Sequence, residues 1–131
     1  MDSNALVIEQ IKAGEGLIEK LRSYLRVEAA FWLNPADEGQ WALYIASPEI
    51  DKNNFDLAYG AVIRVAQEMK TPYIDPFQVR IIRVSDPLTQ AAIKANQKYP
   101  GNIATRVRGK PFGGTPVEEA YIYPSQLPAS S

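Results

Sequence analysis

Along residues 5–25 the positions Val7, Ile11, Gly14, Ile18, Leu21 and Leu25 recur at alternating intervals of four and three, which keeps them on one face of a helix. Gly14 lies on that stripe and Gly16 off it. Each glycine costs about 1 kcal/mol against alanine inside a helix, so the pattern predicts a break or kink near Gly14-Glu15-Gly16. The period then changes to two. Over 26–33, Val27, Ala29, Phe31 and Leu33 share one face, while Glu28, Ala30 and Trp32 share the other. Asn34–Gly39 has the composition of a turn. Residues 40–46 run through Trp41-Ala42-Leu43-Tyr44-Ile45 without a charge, as a strand covered on both faces does. A β-hairpin is the simplest connection between these two strands.

After a loop at 47–54, Asn54 is the expected N-cap of a second helix ending near Lys70, with Ala58, Ala61, Val62, Val65, Ala66 and Met69 as its inner stripe. Residues 77–84 form the third strand. Its parity switches at Ile81-Ile82, putting apolar side chains on both faces and predicting an interior position in the sheet. Asp86-Pro87 pairs an N-cap acceptor with a proline at the first helical position, a strong helix start. Leu88, Ala91, Ala92, Ala95 and Tyr99 mark that helix's inner face, and Pro100-Gly101 stops it. The last two strands span 103–110 and 117–123, joined by a Pro/Gly-rich turn at 111–116.

The predicted order is therefore α-β-β-α-β-α-β-β. We read it as α+β, a mixed five-stranded sheet packed with helices, in one domain over 1–123 with a flexible tail at 124–131. The two strand–helix–strand connections are right-handed parallel crossovers wherever the strands they join are neighbours.

Composition narrows the chemistry. A length of 131 residues with 46% hydrophobic content suits one cored domain. The chain contains neither Cys nor His. That excludes disulfides, thiolate nucleophiles, imidazole bases, Ser-His-Asp triads and His- or Cys-ligated metals. No apolar run resembles a signal peptide or a membrane span, so the expected location is cytoplasmic, away from membranes. No cofactor is expected.

Charge changes the picture more. The net charge is −1, yet residues 77–110 carry Arg80, Arg83, Lys94, Lys98, Arg106, Arg108 and Lys110 against Asp86 alone. Strand alternation places Arg106, Arg108 and Lys110 on one face and Val107 on the other. With Lys110 paired to Val117, Arg108 falls opposite Glu119 and Arg106 opposite Tyr121. Arg106, Arg108, Lys110, Gly113, Gly114, Tyr121 and Tyr123 are thus the candidate ligand-binding residues. Cations meet phosphates or other anions there, the rings of Tyr121 and Tyr123 stack on bases, and the Gly113-Gly114 turn lets backbone N–H groups approach an anion. The competing structural reading makes Arg108–Glu119 and Arg106–Tyr121 ordinary cross-strand pairs, with the glycines serving a turn that needs positive φ.

The stretch Arg108–Gly114 does not make the aromatic strand motif of RNA-recognition domains, because Pro111 interrupts it where the first stacking ring belongs. Nor is it a phosphate-binding P-loop, since no Gly-Lys-Ser/Thr follows. Trp32, on the face opposite Phe31, and the helical residues Ile11, Gly14 and Ile18 are candidate interface positions for a homodimer. The competing reading packs both features within the chain.

Carboxylate–metal catalysis needs no His, but the acidic clusters Asp37-Glu38, Glu49/Asp51 and Glu118-Glu119 flank turns or point to opposite strand faces. The leading expectation is a small non-catalytic binding module whose partner is a protein or anionic ligand, nucleic acid included. The alternatives are a carboxylate/Mg²⁺ enzyme acting on phosphodiesters and a homo-oligomer assembled through the first helix.

Overall fold

The computed structural model describes residues 6–35, 40–51, 53–99 and 103–124. In chain order the elements are α1 (Ile8–Leu21), β1 (Ala29–Pro35), β2 (Ala42–Ser47), α2 (Phe55–Met69), a 3₁₀ turn (Pro76–Gln78), β3 (Val79–Arg83), α3 (Pro87–Lys98), β4 (Thr105–Arg108) and β5 (Val117–Ile122). This is the expected α+β order. The expected turn at 36–39, the helix stop at Pro100-Gly101 and the tail from 125 onward lie outside the described residues.

The helix ends follow from local chemistry, with one exception. Gln10 Oε1 accepts the Val7 N–H at 3.2 Å and closes the start of α1. Asp86 Oδ1 accepts the Leu88 N–H at 2.9 Å, and Pro87 occupies the first position of α3. Asn54 stands at the N-cap of α2 but does not cap it with its side chain. Its Oδ1 accepts the Asp51 N–H at 2.8 Å and its amide donates to the Glu49 carbonyl, so the side chain ties the preceding loop instead.

The five strands lie in the order β3-β2-β1-β5-β4. β2 and β3 are parallel, joined by the expected crossover through α2. The other neighbours are antiparallel. The second strand–helix–strand unit is not a crossover between neighbours, because β3 and β4 are the two opposite edges and α3 spans the sheet between them.

The interior position expected for the third strand is also corrected: β3 is an edge strand. Its two-sided apolar pattern comes from helices above and below. Ile81 joins the core beneath α1 and α2, and Ile82 packs into the core beneath α3. Burial on both faces therefore coexists with a lateral side that pairs with no other strand.

Each face of the sheet carries its own core. Ala30, Trp32, Leu43, Ile45, Val79 and Ile81 face the inner stripes of α1 and α2. Phe31, Leu33, Ala46, Ala120 and Ile122 face α3, with Phe112 folding in beside them. Phe31 stacks on Tyr44 at 5.4 Å between centroids and touches Phe112 at 5.5 Å. Fully burying a large side chain such as Phe31 or Leu43 contributes roughly 1.5–3 kcal/mol, so both faces are needed for a chain this short.

The helix break expected at Gly14-Glu15-Gly16 does not occur; α1 is continuous. Both glycines sit where the helix is pressed against a neighbour. A Cβ on Gly14 would collide with the Tyr123 hydroxyl and lie 3.1 Å from Trp32 Nε1, and one on Gly16 would lie 3.3 Å from the end of Met69. Close packing offsets the helix-propensity cost.

Candidate functional site

β5 is held beneath α1 by a buried relay. Trp32 Nε1 donates to the Tyr123 hydroxyl at 2.9 Å, and that hydroxyl donates to the Ile11 carbonyl at 2.6 Å. Gly14 leaves the room this requires. Trp32 is 1% exposed, Tyr123 2% and Ile18 0%. Of the residues expected at an interface, Trp32, Gly14 and Ile18 are instead buried within the chain, and Ile11 is half-buried against the same core. Tyr123 is likewise withdrawn from the ligand-binding set as a stacking platform. Burial pushes its phenol well above the ordinary value of 10; the hydrogen bond from Trp32 opposes this, and Tyr121 and Glu15 add to the rise.

The register of the last hairpin matches the sequence reading. Arg106 pairs with Tyr121, Val107 with Ala120 and Arg108 with Glu119. Val107 packs toward the α3 face, which leaves the two arginines on the α1 face of the sheet, beyond the helix. Arg106 Nη1 donates to Glu119 Oε2 at 3.1 Å, while Arg108 Nε stands 3.7 Å from the same oxygen. The Arg106 guanidinium also lies 5.1 Å from the centroid of the Tyr121 ring. Tyr123 meets that ring edge-on at 5.2 Å. Burial raises the Tyr121 phenol above its ordinary value, Arg106 pulling it back and Glu15 adding to the rise.

One carboxylate therefore serves two guanidinium groups. Glu119 is largely shielded, at 18% side-chain exposure, whereas Arg106 is 46% and Arg108 75% exposed. Positive charge is left in excess at the surface. β4 ends at Arg108 and Gly109 has a positive φ, so the expected alternation does not reach Lys110, which lines with Gly109 and Glu118 a cleft of about 480 Å³ at the mouth of the hairpin.

The structure brings together Arg106, Arg108 and Tyr121, and it separates Gly113 and Gly114 from them. Phe112 and Thr115 form a bridge around the two glycines, both at positive φ, and exchange backbone hydrogen bonds of 2.9 and 3.0 Å. Phe112 buries into the α3-side core, so the turn folds toward the face opposite the arginines. A Cβ on Gly113 would lie 2.7 Å from the Pro87 carbonyl oxygen. Its role is close packing on the start of α3 rather than cradling an anion with Arg106.

Three residues escaped sequence reasoning. Asn34, assigned there to a turn, is a buried residue of β1 paired with Glu119, and its Oδ1 has no hydrogen-bond partner among the described residues. Glu15 influences both tyrosines from α1. Tyr59 of α2 packs at the margin of the core, and its hydroxyl accepts the Ile81 N–H at 2.9 Å on the outer side of β3. For Asn34 and Tyr59 the available signal was a polar group interrupting an apolar run, which does not name its partner.

Of the acidic clusters, Asp37-Glu38 lies outside the described residues. Asp51 Oδ1 accepts the Asn53 N–H, Glu49 is exposed, and among the described residues no three acidic side chains gather as a metal site. Among them, too, no helix is long and apolar enough to cross a membrane. No known family model, curated protein or solved structure matches this chain.

Proposed function

We propose that this chain is a non-catalytic, cytoplasmic binding module that takes an anionic partner at the β4–β5 edge of its sheet. One observation carries the reading: Arg106 and Arg108 stand side by side on an exposed edge strand and share a single, shielded carboxylate. Two guanidinium groups on one acid leave hydrogen-bond donors and charge unspent, and guanidinium forks suit carboxylate or phosphate oxygens.

The test is titration of the protein with fluorescent polyanions, a polyglutamate and an oligodeoxynucleotide, across a series of salt concentrations. Binding is expected to weaken as salt rises and to fall in the Arg106→Ala/Arg108→Ala variant. No binding to any polyanion at low salt would reject the reading.

A further inference from the structure

The backbone of β4 adds a feature that its charges alone do not. The Gly109 N–H donates to the Glu118 carbonyl at 3.1 Å. In an antiparallel ladder, hydrogen-bonded and non-hydrogen-bonded pairs alternate. With the observed register, Gly109, Val107 and Thr105 therefore turn their N–H and C=O groups toward β5. Arg106 and Arg108 turn theirs away, toward the open side of the sheet. Among the described residues, no hydrogen bond reaches those groups from that side. The two residues that supply the excess charge are also the two that offer a free strand edge.

We propose that β4 accepts an extended acidic segment of another polypeptide as a sixth strand, antiparallel to β4. This rests on the anion-binding reading above and specifies its partner. Residues directly opposite one another in a ladder place their side chains on the same face. A carboxylate across from Arg106 and a second across from Arg108 must therefore be two residues apart in the incoming strand. The residue between them falls beside Val107, on the apolar α3 face. The recognised pattern is acid–apolar–acid, with the strand supplying backbone hydrogen bonds and the arginines supplying selection.

Two competing occupants fit less well. A second copy paired in register through β4 would set arginine opposite arginine, which is unfavourable. Single-stranded nucleic acid needs accessible rings, but Tyr123 is buried and the face of Tyr121 is occupied by Arg106.

The experiment uses the full chain and short synthetic peptides. One carries Glu-Val-Glu at its centre, a second has the same composition with Glu-Glu-Val, and a third is the first with N-methyl groups on the backbone nitrogens of both glutamates. An oligodeoxynucleotide is the fourth probe. Glu-Val-Glu is expected to bind and to protect the Arg106 and Arg108 amides from hydrogen exchange. Glu-Glu-Val, with one acid on the wrong face, is expected to bind about fivefold more weakly. The N-methylated peptide is expected to lose roughly tenfold, as two hydrogen bonds are removed.

Equal binding of the N-methylated peptide, with both amides still exchanging freely, would overturn strand addition and leave the anion-binding reading intact. Binding of the oligodeoxynucleotide alone would do the same. Failure of every polyanion would remove both.

Discussion

The two edges of the sheet are finished in opposite ways. At β3, the outward Ile81 N–H is taken by the Tyr59 hydroxyl, and the Arg83 carbonyl accepts from Thr89 Oγ1 at 2.8 Å and from the Asp86 N–H at 3.1 Å. Side chains and a helix start thus cap it at Ile81 and Arg83. At β4 the outward groups of Arg106 and Arg108 have no hydrogen-bond partner among the described residues, and charge stands guard there. Unpaired strand edges invite association, and proteins suppress it by capping or by charge. Here the same sheet uses both devices, one at each side. A seal excludes every partner, whereas a charged edge excludes copies of itself and admits its complement. That difference makes the open side the place to look for binding.

Several perturbations separate the two edges. The largest effect is expected from Gly14→Ala, which drives a methyl group into the Tyr123 hydroxyl and Trp32. Overpacking of this kind costs about 3 kcal/mol, read as a drop in the urea midpoint. If the open edge depends on the relay under α1, amides of β4 and β5 will lose exchange protection before those of β2 and β3. Simultaneous loss across the sheet would show that the two edges share one fate.

Tyr123→Phe is the milder version. It removes the acceptor for Trp32 Nε1 and the donor to Ile11, leaving a buried indole N–H unpaired, at about 2 kcal/mol. The substitution also has a pH signature. Because the folded phenol titrates above the ordinary value of 10, the unfolded chain releases that proton first as pH rises. Stability is then present in full below that value and declines above it. Tyr123→Phe is expected to flatten the alkaline decline seen in denaturant melts between pH 9 and pH 11 (about one unit either side of the free phenol).

On the sealed side, Tyr59→Phe deletes the cap on Ile81 and is expected to cost about 1 kcal/mol. It should speed exchange at the Ile81 amide while leaving Arg106 and Arg108 unchanged. A slow Ile81 amide in the variant would mean that the edge is protected by α2 rather than by the hydroxyl. The smallest effect belongs to Glu119→Gln. Its partners are substantially exposed, so the lost pairing is worth below about 1 kcal/mol and vanishes in high salt. The same variant frees both arginines and should tighten binding of an acidic peptide, a gain in affinity at little cost in stability.

Some of this contrast was legible in the sequence, and the division has a physical cause. The hairpin register follows from alternation and turn closure, both local, so Arg106–Tyr121 and Arg108–Glu119 can be read from the residues of the hairpin alone. Asp86-Pro87 announces α3 by the same kind of short-range chemistry. Gly14, Ile18 and Leu21 of the expected α1 stripe are buried, but Val7 is exposed, Leu17 is buried without having been on the stripe, and Trp32 and Ile18 are taken up inside the chain. What a stripe packs against depends on a partner such as Tyr123, 91 residues from Trp32.

Ile81-Ile82 shows the limit most clearly. Two-sided burial is set by helices above and below, while edge or interior is set by lateral pairing, which a single strand's pattern does not encode. Asn34 and Tyr59 were missed for a related reason: a lone polar group on an apolar element signals a partner without saying where it lies.

The strand order carries a consequence for how the protein is made. β1 gains β2 almost at once, but its other flank is completed by β5, close to the far end of the described chain. At translation rates of about 5–20 residues per second, roughly 4–15 seconds separate the emergence of β2 from that of β5. During that interval Phe31, Trp32 and Leu33 have one hydrogen-bonded flank and no second. The nascent chain therefore passes through a stage at which its most apolar strand is its most adhesive. Crowded polysomes, rather than the finished fold, are where this chain is most exposed to pairing with its neighbours.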